Sequence, residues 1–223
     1  VANANSAATT VTMSGPVSIT ANFAANISVV VQTVPTGLSI VVDGNTLTAP
    51  QTFSWVPGSN HTIATTSPQG SGGTRFVFSN WSDAGPISHP VTPNTATTFT
   101  ATFTTEHQLT TAANGSGTVS PASGQFFPEG SVQPVSATAN SGFAFNGWTG
   151  PVANSLSAST TVTMNAPASV TANFVTALSA TCPAATQGNI GTAYSSGVTP
   201  SGGTATYSFS LASGTLPPPL TIS

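Results

Sequence analysis

Apolar and polar side chains alternate along much of the chain with a period of two residues. The alternation is clear in Ile27-Val29-Val31, Leu38-Ile40-Val42 and Val170-Ala172-Phe174, and many of the intervening positions are Ser, Thr, Asn or Gln. This is the spacing of a β-strand with one buried face, whereas helical spacing is nowhere sustained. Turn dipeptides such as Asp43-Gly44 separate the apolar runs. We therefore predict an all-β fold of tandem small antiparallel modules, β-sandwich or β-grasp-like, that form an elongated rod.

The chain also repeats part of itself. Residues 1–23 match residues 152–174 without a gap at sixteen positions. A weaker repeat relates residues 76–82 to residues 143–149, and each is followed, after a Pro-containing loop, by a Thr-rich strand that ends in Phe. Self-similarity of this kind indicates tandem modules. We divide the chain into the C-terminal part of a repeat at 1–24, a β module at 25–105, a second module at 106–175 and a different, partial β unit at 176–223.

Charged side chains are almost absent. Arg75 is the single Lys or Arg residue among 223, and there are four acidic residues. Nucleic acids and anionic membrane surfaces both attract clusters of basic side chains. We therefore expect neither nucleic-acid binding nor membrane insertion, and no apolar run is long enough to span a bilayer.

Cysteine usage and polarity bear on the cellular compartment. Cys182 is the only cysteine, so no disulfide can form within these residues, and either a free thiol or a bond to another chain remains possible. Low charge and abundant Ser and Thr favour a secreted protein, extracellular or on the cell surface.

The segment 115–174 carries a series of motifs in a fixed order. It begins with Gly-Ser-Gly-Thr-Val at 115–119, continues with Gly-Phe-Ala-Phe-Asn-Gly-Trp at 142–148 and Thr-Val-Thr-Met at 161–164, and ends with Thr-Ala-Asn-Phe at 171–174. This order resembles the divergent internalin-type B-repeat of bacterial surface proteins. The segment 1–23 matches only the last third of that pattern. The resemblance implies a β-rich, non-catalytic spacer or adhesion module at 106–175.

Two further segments carry weaker resemblances. Residues 25–105 are similar to a related surface-protein repeat, through Val42-Asp43-Gly44, the segment 55–63 and the segment around Trp81. From residue 178 onward, Gly202-Gly203-Thr204 and the segment 213–218 resemble the immunoglobulin-like domains of such proteins, although Pro219 stands where that pattern usually has Gly. We expect 176–223 to be a partial immunoglobulin-like β domain.

Candidate catalytic and metal-binding groups are sparse. The acids are Asp43, Asp83, Glu106 and Glu129, and two of them lie in turn sequences. The three histidines are scattered over different predicted elements, without the paired spacing of metal sites. No Gly-x-Ser-x-Gly motif or Ser-His-acid triad is visible. We predict no catalytic residues, no metal site and no cofactor, and therefore that the chain is not an enzyme.

The repeated aromatic residues allow two interpretations. Trp81 and Trp148 occupy equivalent positions beside alternating Phe residues, and a repeated aromatic residue is typical of a core. Exposed Trp rings could instead stack on sugars, as in a carbohydrate-binding accessory module of a secreted protein. We favour the core interpretation, and the predicted structural core consists of Phe76, Phe78, Trp81, Phe103, Phe143, Phe145, Trp148 and Phe174.

These observations favour a structural extracellular protein: a segment of a bacterial surface stalk or adhesin, or a subunit of an extracellular filament. We expect self-association or continuation into further repeats of the same polypeptide, and strand donation between subunits is one way to assemble it. A glycan or a host surface ligand is a further possible partner. The carbohydrate-binding module remains the alternative.

Overall fold

The computed structural model describes residues 3, 6, 8–21, 25–181, 197–203, 206–210 and 213–215. Within these residues all regular secondary structure is β-strand, which confirms the predicted all-β fold. The strands are β1 Ile27–Val34, β2 Ser39–Val42, β3 Asn45–Thr48, β4 Gln51–Trp55, β5 His61–Thr65, β6 Thr74–Trp81, β7 Ser88–Val91, β8 Thr97–Asn114, β9 Gly117–Ser120, β10 Gln125–Pro128, β11 Val132–Ala139, β12 Phe143–Thr149, β13 Ser159–Thr163, β14 Ala168–Thr176, β15 Ser179–Thr181 and β16 Thr199–Ser201.

The chain forms two compact units. The first unit comprises Val1–Thr65 and Asn80–Thr102, and the second comprises Thr66–Ser79 and Phe103–Ser223. The strand β8 contributes residues to both. The predicted boundaries at 24/25, 105/106 and 175/176 stay predictions.

In the first unit, β3, β2, β5 and β7 form a four-stranded sheet in that order. The strand β1 lies between β4 and β8 in a different sheet. The β2–β3 hairpin is closed by Asp43 and Gly44, with φ angles of 50° and 81°. Positive φ at both central residues is the conformation of a two-residue hairpin turn of the primed type, and it confirms the hairpin that Asp-Gly predicts. Alternate residues of β1 and β2, such as Val29, Val31 and Ile40, are fully buried.

In the second unit, β14 lies between β12 and β8, β10 pairs with another part of β8, and β13-β11-β9 form a separate sheet. The core includes side chains of β8, β11, β12 and β14. Its fully or nearly buried members are Leu109, Val135, Trp148, Val162, Met164, Ala168, Val170, Ala172 and Phe174.

Two strand pairs differ from the predicted antiparallel arrangement. The strand β1 pairs with β8 in parallel, with Val29 opposite Thr97, and β14 also pairs with β8 in parallel, with Ala168 opposite Leu109. Parallel neighbours need a long connection between them. The chain between β8 and β14 supplies it, because the strands β9 to β13 lie there.

The segment after residue 176 is described only in part. Strands β15 and β16 pair antiparallel, from Ser179 opposite Ser201 to Thr181 opposite Thr199. Cys182 and most of the segment with immunoglobulin-like motifs lie outside the described residues. The immunoglobulin-like domain therefore stays a prediction. The part of the chain that the structure describes contains no helix with the length and apolar character needed to cross a membrane.

Leu109 offers a test of the second core. It is fully buried in the cluster described above, so Leu109→Ala leaves a cavity and should lower the free energy of unfolding by about 2–5 kcal/mol. The measurement is urea denaturation followed by tryptophan fluorescence.

Leu156→Ala is the matched control, because Leu156 is 84% exposed and the same atoms are removed from water rather than from a core. It should change the free energy of unfolding by less than about 0.5 kcal/mol. Equal effects of the two substitutions would contradict the proposed packing.

Candidate functional site

Three of the predicted core residues of the second unit, Phe145, Trp148 and Phe174, lie close together. Its ring lies edge-on to Phe145 at 5.8 Å, and Phe145 lies edge-on to Phe174 at 6.1 Å. The indole Nε1 of Trp148 donates a hydrogen bond to the backbone oxygen of Ser157 at 2.9 Å. The ring is therefore buried and its one polar group is satisfied.

A β-bulge in β12 explains how Trp148 reaches that core. Phe145 lies opposite Phe174, but the next pair is Gly147 opposite Asn173, so Asn146 is the extra residue. Phe145 and Trp148 are three residues apart, so regular alternation without a bulge would place them on opposite faces of the strand. Gly147 has a φ of 119°, a conformation that favours glycine. The Phe-x-Phe-x-Gly-Trp motif thus encodes a bulge that turns the tryptophan inward.

The other predicted core residues lie in different surroundings. In the second unit Phe103 is buried edge-on to Phe78 at 5.8 Å, while Phe76, Phe78 and Phe143 are half-buried. In the first unit Trp81 is fully buried and its Nε1 donates to the backbone oxygen of Ile87 at 3.3 Å. The structure therefore distributes the eight aromatic residues over both units.

Sequence reasoning missed one polar constellation in the first unit. The ring of His61 joins two side chains: its Nδ1 is 2.7 Å from Asp43 Oδ2, and its Nε2 is 2.9 Å from Ser59 Oγ. Trp55 stacks on the same ring, with centroids 3.9 Å apart and planes 8° apart. The antiparallel pairing of β2 with β5, with Val42 opposite Ile63, brings these distant residues together. We call Asp43, Ser59 and His61 the histidine clasp.

The order Ser-His-Asp is that of a nucleophilic triad. Whether Ser59 is activated depends on the group to which its hydroxyl donates a hydrogen bond. In a triad the serine hydroxyl gives its proton to the histidine. Here Ser59 Oγ is also 2.6 Å from the backbone oxygen of Val56, which can only accept. A serine hydroxyl carries one proton, and a proton that Ser59 donates to Val56 is not available to His61. In that arrangement the clasp ties the β2–β3 turn to β5, and Ser59 is not activated.

The clasp also fixes the charge on Asp43. The hydrogen bond from His61 and the hydrogen bond from the backbone N–H of Thr62 to Oδ1 lower the pKa of Asp43 below its ordinary value of 3.8. Both hydrogen bonds favour the ionised carboxylate.

Each of the chain's four acids lies beside a basic side chain. The pairs are Asp43–His61 at 2.7 Å, Asp83–His89 at 2.9 Å, Glu106–Arg75 at 2.6 Å and Glu129–His107 at 3.8 Å. In the second unit Arg75 also lies over the ring of Phe126, at 4.2 Å from its centroid. Each pair lies inside a single unit, and in three of the four the paired atoms are within 3 Å of each other.

The described residues offer little else for catalysis or metal binding. They contain no group of three His, Cys, Asp or Glu side chains that could hold a metal ion. A shallow depression of about 390 Å³ lies on the sheet of β9, β11 and β13, beside Pro134 and Val135. The remaining residues around it are serines and threonines, which provide hydroxyl groups but no charge.

One comparison with known proteins identifies part of the chain. Residues 107–177 match the family model of the Divergent InlB B-repeat domain. This confirms the predicted resemblance of this segment to the B-repeat of bacterial surface proteins. Modules of this family are typically structural and non-enzymatic. No curated protein and no solved structure matches the chain.

The lowered pKa of Asp43 predicts a pH dependence. A carboxyl group whose pKa is lower in the folded state stabilises the fold above its ordinary pKa, near 4, and that stabilisation is lost as the pH falls through the lowered value. Asp43→Asn should therefore reduce the free energy of unfolding at pH 7, by up to about 1 kcal/mol because the carboxylate is 45% exposed. It should also flatten the loss of stability between neutral and acidic pH.

Denaturant midpoints measured from pH 7 to pH 2 test this expectation. Glu129→Gln is the matched control, since it removes the same charge from a pair whose atoms are 3.8 Å apart, and it should change the acid dependence less than Asp43→Asn does. Identical acid profiles for Asp43→Asn and the parent chain would show that the clasp does not hold the carboxylate.

The hydrogen bond from the Ser59 hydroxyl to the backbone oxygen of Val56 predicts that Ser59 is inert. A fluorophosphonate probe, which labels activated serines, should give no adduct at Ser59 by peptide mass spectrometry, under conditions that fully label a serine hydrolase. An adduct at Ser59 that disappears in His61→Ala would contradict the structural role of the clasp.

Proposed function

We propose that the chain is a non-catalytic β-repeat segment of a bacterial surface protein, and that it serves as a structural spacer that displays other parts of that protein outside the cell. The observation that carries the proposal is the B-repeat match at residues 107–177. The repetition of that module's last third at residues 1–23 supports a tandem array, in which one type of module is used more than once.

The distribution of charge supports a static role. A carboxyl group that acts as a general acid or base must lie within hydrogen-bond reach of a substrate proton. The carboxylates of Asp43, Asp83 and Glu106 instead lie within 3 Å of a basic partner in the same unit. Such pairing suits a scaffold whose surface consists mainly of hydroxyl and amide groups.

The tryptophans weigh against the alternative of carbohydrate binding. A sugar-binding platform presents aromatic rings to solvent, but Trp55, Trp81 and Trp148 are all buried. Trp81 and Trp148 also use their indole N–H groups on backbone oxygens within their own units. These rings stabilise cores, and removing them would be expected to unfold a unit rather than to abolish sugar binding alone.

Surface location can be measured on intact cells of the source organism. An antibody raised against the chain should label unlysed cells, and brief external proteolysis should remove that signal while a cytoplasmic marker protein remains intact. Immunoblotting of the released material gives the mass of the parent polypeptide. A signal that appears only after lysis would overturn the proposal.

A glycan array provides the second arm of this test. The spacer role predicts that the purified chain gives no signal above that of a denatured sample. Saturable binding to a defined glycan would instead favour the carbohydrate-binding module.

A further inference from the structure

Residues 8–21 expose apolar side chains at positions whose counterparts in the second unit are buried. Sequence alignment places Met13, Val17 and Ile19 at the positions of Met164, Ala168 and Val170. Met13 is 63% exposed and Ile19 is 59% exposed, whereas Met164 and Val170 are completely buried. We call residues 8–21 the donor segment. It forms no β-strand, although its counterpart at 159–172 includes β13 and the first residues of β14.

The counterpart shows what such a sequence packs against. The strand β13 pairs antiparallel with β11, where Val162 lies opposite Gln133. The strand β14 fits between two strands: Ala168 lies opposite Leu109 of β8, and Ala172 lies opposite Trp148 of β12. The partners of these two strands all come from residues 107–149 of the same module.

The differences between the two copies preserve this packing pattern. Ile19 replaces Val170 and Val17 replaces Ala168, so each core-facing position keeps an apolar side chain. The Thr residues on either side of Val11 and the Thr that follows Ile19 are also retained, which preserves the alternation of a strand with one buried face. Pro16 corresponds to Pro167, the residue immediately before β14.

We propose that the donor segment is the closing pair of strands for a B-type half-module, which is a polypeptide segment with the strand pattern of residues 107–149. The donor segment would add one strand antiparallel to the equivalent of β11 and insert the other between the equivalents of β8 and β12. Met13, Val17 and Ile19 then enter its core. A second copy of this chain is a poorer acceptor, because its own β13 and β14 already occupy these places. The inference does not depend on surface location, so it can fail while the proposed function stands.

The experiment joins an acceptor sequence to the whole chain. An extended chain carries a copy of the sequence of residues 107–151 directly before Val1, which restores the spacing between the two halves of the module. Both the parent and the extended chain carry Cys182→Ser and Met13→Cys, so that one thiol reports on one position. Labelling of that thiol should be slowed at least about tenfold in the extended chain, because it then requires local opening of a folded module.

Matched variants separate docking from general effects of the added sequence. Ile19→Asp in the extended chain should restore fast labelling, since a carboxylate replaces a core side chain. When Met13 is retained and Met164→Cys supplies the single thiol instead, that thiol should react slowly in both chains. Amide hydrogen exchange at residues 16–21, measured without the Met13 substitution, should show new protection in the extended chain alone.

Two results would overturn the proposal. Equal labelling rates and equal exchange in the parent and extended chains would mean that the donor segment does not enter the half-module. Concentration-dependent dimerisation of the parent chain, with protection of residues 16–21, would mean that the acceptor is a second copy instead.

Discussion

The module at 107–177 depends on the insertion of β14 between β8 and β12. This strand is parallel to one neighbour and antiparallel to the other, and its buried residues Val170, Ala172 and Phe174 supply much of the core. The fit is close: the ring of Phe174 occupies the space that a side chain at Gly117 would need, so that position requires glycine. The glycine of the Gly-x-Val motif at the start of the module therefore packs against the phenylalanine of the Thr-Ala-x-Phe motif at its end.

The strands and some turns could be predicted from the sequence because they depend on neighbouring residues. Period-two alternation identifies a strand with one buried face, and Asp43-Gly44 identifies its hairpin. The parallel pairing of β14 with β8 could not be predicted, since the same alternation serves parallel and antiparallel neighbours. The bulge at Asn146 did leave a signal: Trp148 is an odd number of residues from Phe145, with a glycine between them. Alternation alone assigns these two rings to opposite faces.

The histidine clasp shows a different limit of sequence reasoning. Asp43 lies in a turn, and Ser59 and His61 lie sixteen and eighteen residues later; only the pairing of β2 with β5 makes them neighbours. Its chemistry also depends on a backbone oxygen, that of Val56, which no side-chain motif can reveal. With so few charges in the chain, the pairing of every acid with a base is a property of the folded units. Since charged side chains are so few, hydroxyl and amide groups provide most of the polar surface.

The position of β14 has a consequence for how such a module is made. A polypeptide emerges from the ribosome N-terminus first, so β8 to β12 are synthesised well before the strand that must lie between β8 and β12. Until then an apolar groove flanked by open strand edges is exposed, and such edges readily pair with other chains. In an array of these modules, each nascent repeat passes through an interval in which a neighbour's closing strand competes with its own. Residues 1–23 and 152–174 keep apolar side chains at the same core-facing positions, so their sequence differences alone would not prevent such an exchange.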